Sequence, residues 1–369
     1  MKNFVTLFPK CTNIELIKDV GMIPYILQKY YGWTSTIACY SGIEELPHLT
    51  DELNGLNLKR VKRYTFLDSI NGIFFILKNY NNIDVLNIYH INTASFLWGV
   101  CYKFLRPDGI LYLKADLDKT SIERHLTSRR IKKIIKQYFI KKVNYLSAET
   151  TTACNLLEEG FNAICHYIPN GYYKFTQSHD EISKENIFLT VGRMGSTEKN
   201  TETLVKAFIN SSDSHDWSLV LIGSSTSEFE SYINRIYNKY PQLKSRIITK
   251  GVIKNRDILF QEYSRAKVFC LTSYFESFGI VLVEALAGGC HIISSDTIPT
   301  ANDIATVCPY IQTFPFADID KLSKLLVEAT QNSNYDKDSK LIKLIAEREY
   351  NWIEIVQKID ILLEGKQLI

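Results

Sequence analysis

No apolar run in these 369 residues approaches the ~18–20 needed to span a bilayer; the longest, residues 73–77, has five. The first apolar stretch, residues 4–8, meets Pro9 and Lys10 at once. It is too short for a secretion signal and reads as a first strand, so a cytoplasmic location is expected. The eight cysteines (11, 39, 101, 154, 165, 270, 290 and 308) include no C-x-x-C pair and no His-rich neighbour. That spacing argues against a zinc site or redox dithiol. Cys270, inside an apolar run, reads as a small hydrophobe. With 46% hydrophobic and 22% charged residues, 17 Gly and 9 Pro, the composition excludes disordered, collagenous and coiled-coil classes. The length suits about two domains with large cores, needing no disulfide or metal staple.

Charge of either sign is nearly balanced, at a net +3, but unevenly spread: residues 1–180 carry a net +6 and 181–369 a net −3. Much of the excess lies at 124–142, where Arg124, Arg129, Arg130, Lys132, Lys133, Lys136, Lys141 and Lys142 are interleaved with Ile131, Ile134, Ile135, Tyr138, Phe139 and Ile140. No acid falls between Glu123 and Glu149. The spacing predicts a basic amphipathic helix. Two readings stand: a helix packing its Ile/Phe stripe on the core, or a surface for anionic lipid headgroups or a polyanionic acceptor. Nucleic acid ranks below both, since no recognition module accompanies the patch.

Short apolar runs alternate with helical patterns throughout, which predicts an α/β protein with parallel sheets. Strands are expected at 4–8, 36–39, 85–89, 109–114 and 144–147, with helices at 23–31, 70–79, 93–105 and 151–159. The run 164–169 closes the first half before the Asn170-Gly171 turn. A polar linker at 177–186 follows. The pattern then restarts, with strands at 187–191, 217–222, 246–249, 268–271 and 291–294. Helices are expected at 203–209, 258–264, 279–287, 317–329 and 352–363. Two doubly wound domains in tandem are expected, at 1–178 and 187–350. Such domains, facing each other, would form a cleft lined by strand carboxyl ends, where α/β proteins bind ligands.

Two segments carry chemistry there. In YFESFGIVLVEA (274–285), Glu276 follows a buried strand and Glu284 lies on the helix that starts near Phe278-Gly279. Free amides at a helix N-terminus suit a phosphate, while carboxylates suit the donor hydroxyls of a sugar or ribose. In VGRMGSTEKN (191–200), Arg193 and Lys199 are cations at a strand end. Fixed cations stabilise a departing diphosphate as its charge develops, without a metal ion.

The E-x7-E segment with its internal Phe-Gly, preceded by V-G-R…K-N, resembles the retaining glycosyltransferases of family 4. The likeness extends over the chain, to Asn170-Gly171 and the final Tyr350-Asn-Trp352 helix. It implies the GT-B fold: two Rossmann-like domains facing across a cleft, with residues 352–369 crossing back to the N-terminal, acceptor-binding one. It further implies that Glu276 holds the donor sugar and Glu284 the nucleotide ribose. Arg193 and Lys199 would take the diphosphate, helped by the amides of Phe278, Gly279 and Ile280, while Gly251-Val252 would meet the base. The six-residue spacing from Arg193 to Lys199 departs from the five of many members.

In the first half, Gly21 stands where the family has a glycine-rich loop after the first strand, with one glycine in place of two; a plain helix-start glycine is the alternative. His90, or Tyr89 in another alignment, takes the place of a histidine near the donor sugar, with a buried structural histidine as the other reading. Asp116 and Asp118 form a D-x-D, which holds a metal in the unrelated GT-A fold; two cations already serve the diphosphate, so that reading is rejected. Lys114 and Asp116 would instead orient an acceptor hydroxyl.

The resemblance thus implies a hexosyltransferase-type, metal-independent retaining enzyme with no cofactor. It would move a sugar, by family frequency from a UDP-sugar, to a lipid-linked or glycan acceptor in capsule, lipopolysaccharide or other surface-glycan assembly. The chain would sit in the cytoplasm or against the inner face of the membrane, with no nucleic-acid partner. A GT-B nucleotide-sugar 2-epimerase and a non-catalytic subunit assisting a partner transferase are the alternatives.

Overall fold

A computed structural model describes residues 2–40, 45–127, 130–173 and 182–366, Arg130 by its backbone alone. The chain divides into two compact units, Met1–Tyr173 with Asn351–Ile369, and Lys174–Tyr350. Each is a parallel sheet with helices packed against it.

The first unit holds β1 (Asn3–Leu7), β2 (Thr34–Cys39), β3 (Asn57–Arg60), β4 (Val85–Tyr89), β5 (Ile110–Ala115), β6 (Tyr145–Ala148) and β7 (Cys165–Tyr167). Their order is β3-β2-β1-β4-β5-β6-β7, every neighbour parallel. From β1 the chain steps outward to β3, returns to place β4 against the other edge of β1, then steps away. The strand order therefore reverses between β1 and β4, a topological switch point. Central strands bury both faces, so β4 has every residue buried, and its apolar run was legible for that reason. Leu86, Ile88, Leu111 and Leu113 meet Trp98, Tyr102 and Phe139 in one core.

The second unit repeats the plan with β8 (Glu185–Val191), β9 (Ser218–Ile222), β10 (Ile247–Gly251), β11 (Ala266–Leu271), β12 (His291–Ser295) and β13 (Ile311–Phe314). Their order is β10-β9-β8-β11-β12-β13, again parallel. Its switch point lies between β8 and β11. Phe188, Leu219, Leu221 and Val268 pack against Leu204, Phe208 and Trp217.

The last helix, Trp352–Leu363, belongs to the first unit. The Trp33 indole N–H donates to Asp360 Oδ1 at 2.6 Å, the Tyr31 hydroxyl to the Ile353 carbonyl at 3.0 Å, and Trp352 is fully buried. Among the described residues no helix is long and apolar enough to cross a membrane.

Three sequence expectations change. Gly21 is not in a loop: the helix begins at Asp19 and runs to Tyr31, with Gly21 buried in its first turn. A Cβ there would stand 1.9 Å from the Leu16 carbonyl oxygen, so close helix–helix approach explains the glycine. The basic segment is two helices, Lys119–Leu126 and Arg130–Ile140; Arg129 and the Arg130 side chain lie outside the described residues. The Ile/Phe stripe packs on the core only in part. Phe139 and Ile140 are buried, whereas Ile131, Ile134, Ile135 and Tyr138 are 74%, 55%, 45% and 54% exposed.

Candidate functional site

The two segments singled out in the second unit both lie at its switch point. The loop carrying Arg193 and Lys199 leaves β8, and the loop carrying Glu276 leaves its neighbour β11. Backbone and hydroxyl contacts lace the loops together: the Tyr274 amide donates to the Glu198 carbonyl at 2.7 Å, and the Thr272 hydroxyl lies 3.0 Å from the carbonyls of both Lys199 and Asn200. That lacing brings the Lys199 ammonium onto Glu276 Oε1, which also accepts from the Ser273 hydroxyl at 2.7 Å. Arg193 stands apart: its side chain is 69% exposed and pairs loosely with Glu198 at 3.9 Å. Such a pair contributes little, which leaves the guanidinium available to an anion.

Glu284 sits on the helix Ile280–Ala287 and accepts from the Tyr263 hydroxyl at 3.0 Å, with Arg256 Nη2 at 3.6 Å. Burial, then the charge of Glu284, pushes the Tyr263 phenol well above its ordinary range, so it stays a donor. This helix has Gly279 as its N-cap at φ 84°, with no side-chain cap bond. Only glycine takes that conformation readily, and the uncapped first turn is where an anion is stabilised. Phe278 is buried behind it, Ile280 is partly exposed, and Val252, beyond β10, is 61% exposed. Sequence reasoning missed Ser273, Tyr263 and Arg256. Tyr263 and Arg256 lie on a helix whose pattern points to packing; only the nearness of Ser273 to Glu276 in sequence was a usable signal.

At the first unit's switch point His90 follows β4 in a left-handed conformation, φ 62°. Its amide donates to the Lys114 carbonyl at 3.1 Å, and Nδ1 lies 2.9 Å from the Asp116 carbonyl oxygen. A carbonyl only accepts, so Nδ1 carries a proton and, in the neutral ring, Nε2 keeps its lone pair. Tyr89 points its ring into the interior and is buried.

Lys114 does not reach outward as expected. It has no exposed surface; its ammonium donates to the Ile168 carbonyl at 3.0 Å and lies 3.6 Å from Glu149 and 3.7 Å from Asp19. A lysine whose donors are spent in the interior cannot orient an acceptor. Asp116 is partly exposed, and Asp118 caps the helix Lys119–Leu126, accepting the Ser121 amide at 2.8 Å. Burial pushes the Asp19 carboxyl up to about 6, Lys114 opposing and Asp116 adding to the rise. Glu149 is held well above the usual carboxylate range, by burial first. Burial pulls Lys114 down, but Glu149 and Asp19 more than offset it.

Two doubly wound parallel units, of seven and six strands, have the architecture of the GT-B fold. The family model described as glycosyl transferases group 1 matches residues 174–343, nearly all of the second unit. An uncharacterised glycosyltransferase of Methanocaldococcus jannaschii is 30% identical over 111 residues, which is 30% of this chain and 27% of that relative. The match thus spans about a quarter of the length of the curated relative. The fold is shared with HepE of Anabaena in complex with UDP (15% identity, 99% of this chain and 100% of that one, TM-score 0.72). It is shared too with the lipopolysaccharide outer core galactosyltransferase WaaB (15%, 100% of each chain, TM-score 0.69).

Proposed function

We propose that this chain is a family 4 retaining glycosyltransferase that moves a sugar from a nucleotide diphosphate donor, with UDP as the carrier, to an acceptor hydroxyl. The observation that carries the reading is the second unit's switch point. There Lys199, Glu276 and an uncapped helix N-terminus stand together, Arg193 opens to solvent on the same loop, and Glu284 is held by Tyr263. Cations and amides would take the diphosphate, and the two carboxylates would accept hydrogen bonds from sugar and ribose hydroxyls. The bond between the anomeric carbon and the diphosphate oxygen breaks, the acceptor oxygen bonds to that carbon on the same face, and the acceptor proton passes to the departing phosphate. No metal or cofactor enters this scheme; fixed positive groups supply the stabilisation. The UDP of HepE and the lipopolysaccharide acceptor in the name of WaaB support the donor and a surface-glycan pathway.

The outward face of the helix Arg130–Ile140 supports a membrane-borne acceptor. Four exposed apolar side chains lie at i, i+3, i+4 and i+7, flanked by exposed Lys132, Lys141 and Lys142. Such a helix lies in the headgroup plane of an anionic bilayer. The enzyme would then work at the cytoplasmic face as a peripheral protein.

The test is incubation with a panel of radiolabelled nucleotide-sugars, with and without membrane extract. Transfer of label to extract from one donor supports the reading; an epimerised donor and no transfer replaces it with the isomerase; nucleotide binding with neither reaction leaves a non-catalytic subunit. For the surface, K132E/K133E should abolish co-sedimentation with vesicles containing phosphatidylglycerol. Unchanged co-sedimentation would remove the membrane from the proposal.

A further inference from the structure

Beneath the first unit's switch point lies a cluster of charge that no ligand contact explains. The Lys114 ammonium joins three segments far apart in sequence to the end of β5. These are the first turn of the helix Asp19–Tyr31 through Asp19, the residue after β6 through Glu149, and the segment after β7 through the Ile168 carbonyl. Asn170 closes the ring, its amide donating to Glu149 Oε1. One ammonium faces Asp19, Glu149 and the nearby Asp116, with the phenol of Tyr112 beside it and that of Tyr89 near the carboxylates. Two buried polar atoms here, Asn170 Oδ1 and the Tyr89 hydroxyl, find no hydrogen-bond partner among the described residues, and Asp19 Oδ2 has only the Lys114 ammonium at 3.7 Å.

A stability argument does not account for such a cluster. Buried ion pairs are commonly no better than apolar packing of the same volume, and orphan polar atoms are costly. What the cluster does fix is geometry. The backbone of Lys114 accepts the His90 amide, and two residues later the Asp116 carbonyl accepts from Nδ1. A non-glycine residue stays left-handed only where its surroundings over-determine it, and the anchored end of β5 supplies those surroundings.

We propose that Lys114 is a positioning residue: its buried ammonium pins the end of β5 so that His90 is held at φ 62° with Nδ1 protonated and Nε2 presented at the carboxyl end of β4. The use of His90 in sugar transfer rests on the function proposed above; the pinning itself does not.

The experiment compares the full chain with K114M and with K114M/E149Q, which removes the ammonium together with one of its carboxylates. Long-range 1H–15N spectra of the imidazole, assigned through H90Q, read the tautomer. Calorimetry with UDP reads the donor side, and transfer assays read kcat. In both variants His90 should lose its single Nδ1–H tautomer, kcat should fall at least tenfold, and the UDP Kd should stay within twofold. If K114M does not fold, the double variant decides. Retention of the His90 signature in folded K114M/E149Q overturns the proposal, whatever happens to kcat. Should the native chain neither transfer sugar nor bind nucleotide, the functional reading falls while the imidazole spectra still judge the pinning.

Discussion

Glu276 and Lys199 neutralise each other, and that pairing has a consequence of unexpected sign. In the function proposed above, a nucleotide diphosphate draws the Lys199 ammonium away from Glu276, and the freed carboxylate then stands near the incoming anion. E276Q removes both costs for UDP itself, which has no sugar for Glu276 to hold. The side chains keep 19% and 13% exposure, so the pair lies between surface pairs worth about 0.2–1 kcal/mol and buried pairs whose rupture costs about 3–5 kcal/mol. A value of about 1–2 kcal/mol makes UDP bind roughly 5–30-fold tighter to E276Q than to the native chain, although transfer is lost. K199M loses a charge-assisted contact of about 1.5–3 kcal/mol and should bind UDP roughly 10–150-fold more weakly. In K199M/E276Q there is no lysine left to release, so the second substitution removes only the carboxylate's repulsion and should gain less than E276Q gains in the native chain. Calorimetric titration with UDP at two salt concentrations completes the cycle, and the E276Q gain should shrink as salt rises. UDP binding E276Q no more tightly than the native chain, or an equal gain with and without Lys199, would refute the competition.

Three further outcomes follow from burial and backbone. Asp19, raised from 3.8 to about 6, takes up a proton in the folded unit that the unfolded chain releases. Its contribution is intact below pH 3.8 and lost as pH rises through 6, so urea unfolding of D19N should gain on the native chain by up to about 3 kcal/mol between pH 4 and 7. Parallel pH curves would contradict the burial cost. I134S, on the outward face, should change stability by less than about 0.5 kcal/mol, while F139A, in the core, should cost about 3–5 kcal/mol; equal costs in denaturant would reverse the orientation of that helix. G279A puts a Cβ at φ 84° and should cost about 1–2 kcal/mol, with G279N milder because asparagine tolerates the left-handed region. Thermal midpoints of the two variants rank them.

The sequence disclosed those parts whose signal is local. Central strands such as β4 and β8 bury both faces and read as apolar runs, and the motifs at 191–200 and 274–285 announce their chemistry by residue type at a strand end. Two edge strands did not show: β3 (Asn-Leu-Lys-Arg) has little burial, and β13 (Ile-Gln-Thr-Phe) is mostly open. The helix Arg130–Ile140 shows the limit of periodicity. A stripe at i, i+3, i+4 and i+7 was plain, but which side faces the core depends on neighbours, and here only its edge turns inward, with Phe139 meeting Phe96 at 5.6 Å between ring centroids.

Lys114 shows the same limit in electrostatics. At the end of an apolar strand a lysine reads as a cation entering solvent, because water is the default partner of an ammonium. It becomes a buried tie only when Asp19, Glu149 and the Ile168 carbonyl arrive from other strand ends, an arrangement set by strand order and written in no local spacing. A charged residue at a parallel strand's carboxyl end can therefore be assigned to ligand or to scaffold only once the strands beside it are known. In this unit the ends of β6 and β7 supply the counter-groups, Glu149 and the Ile168 carbonyl, that turn Lys114 inward.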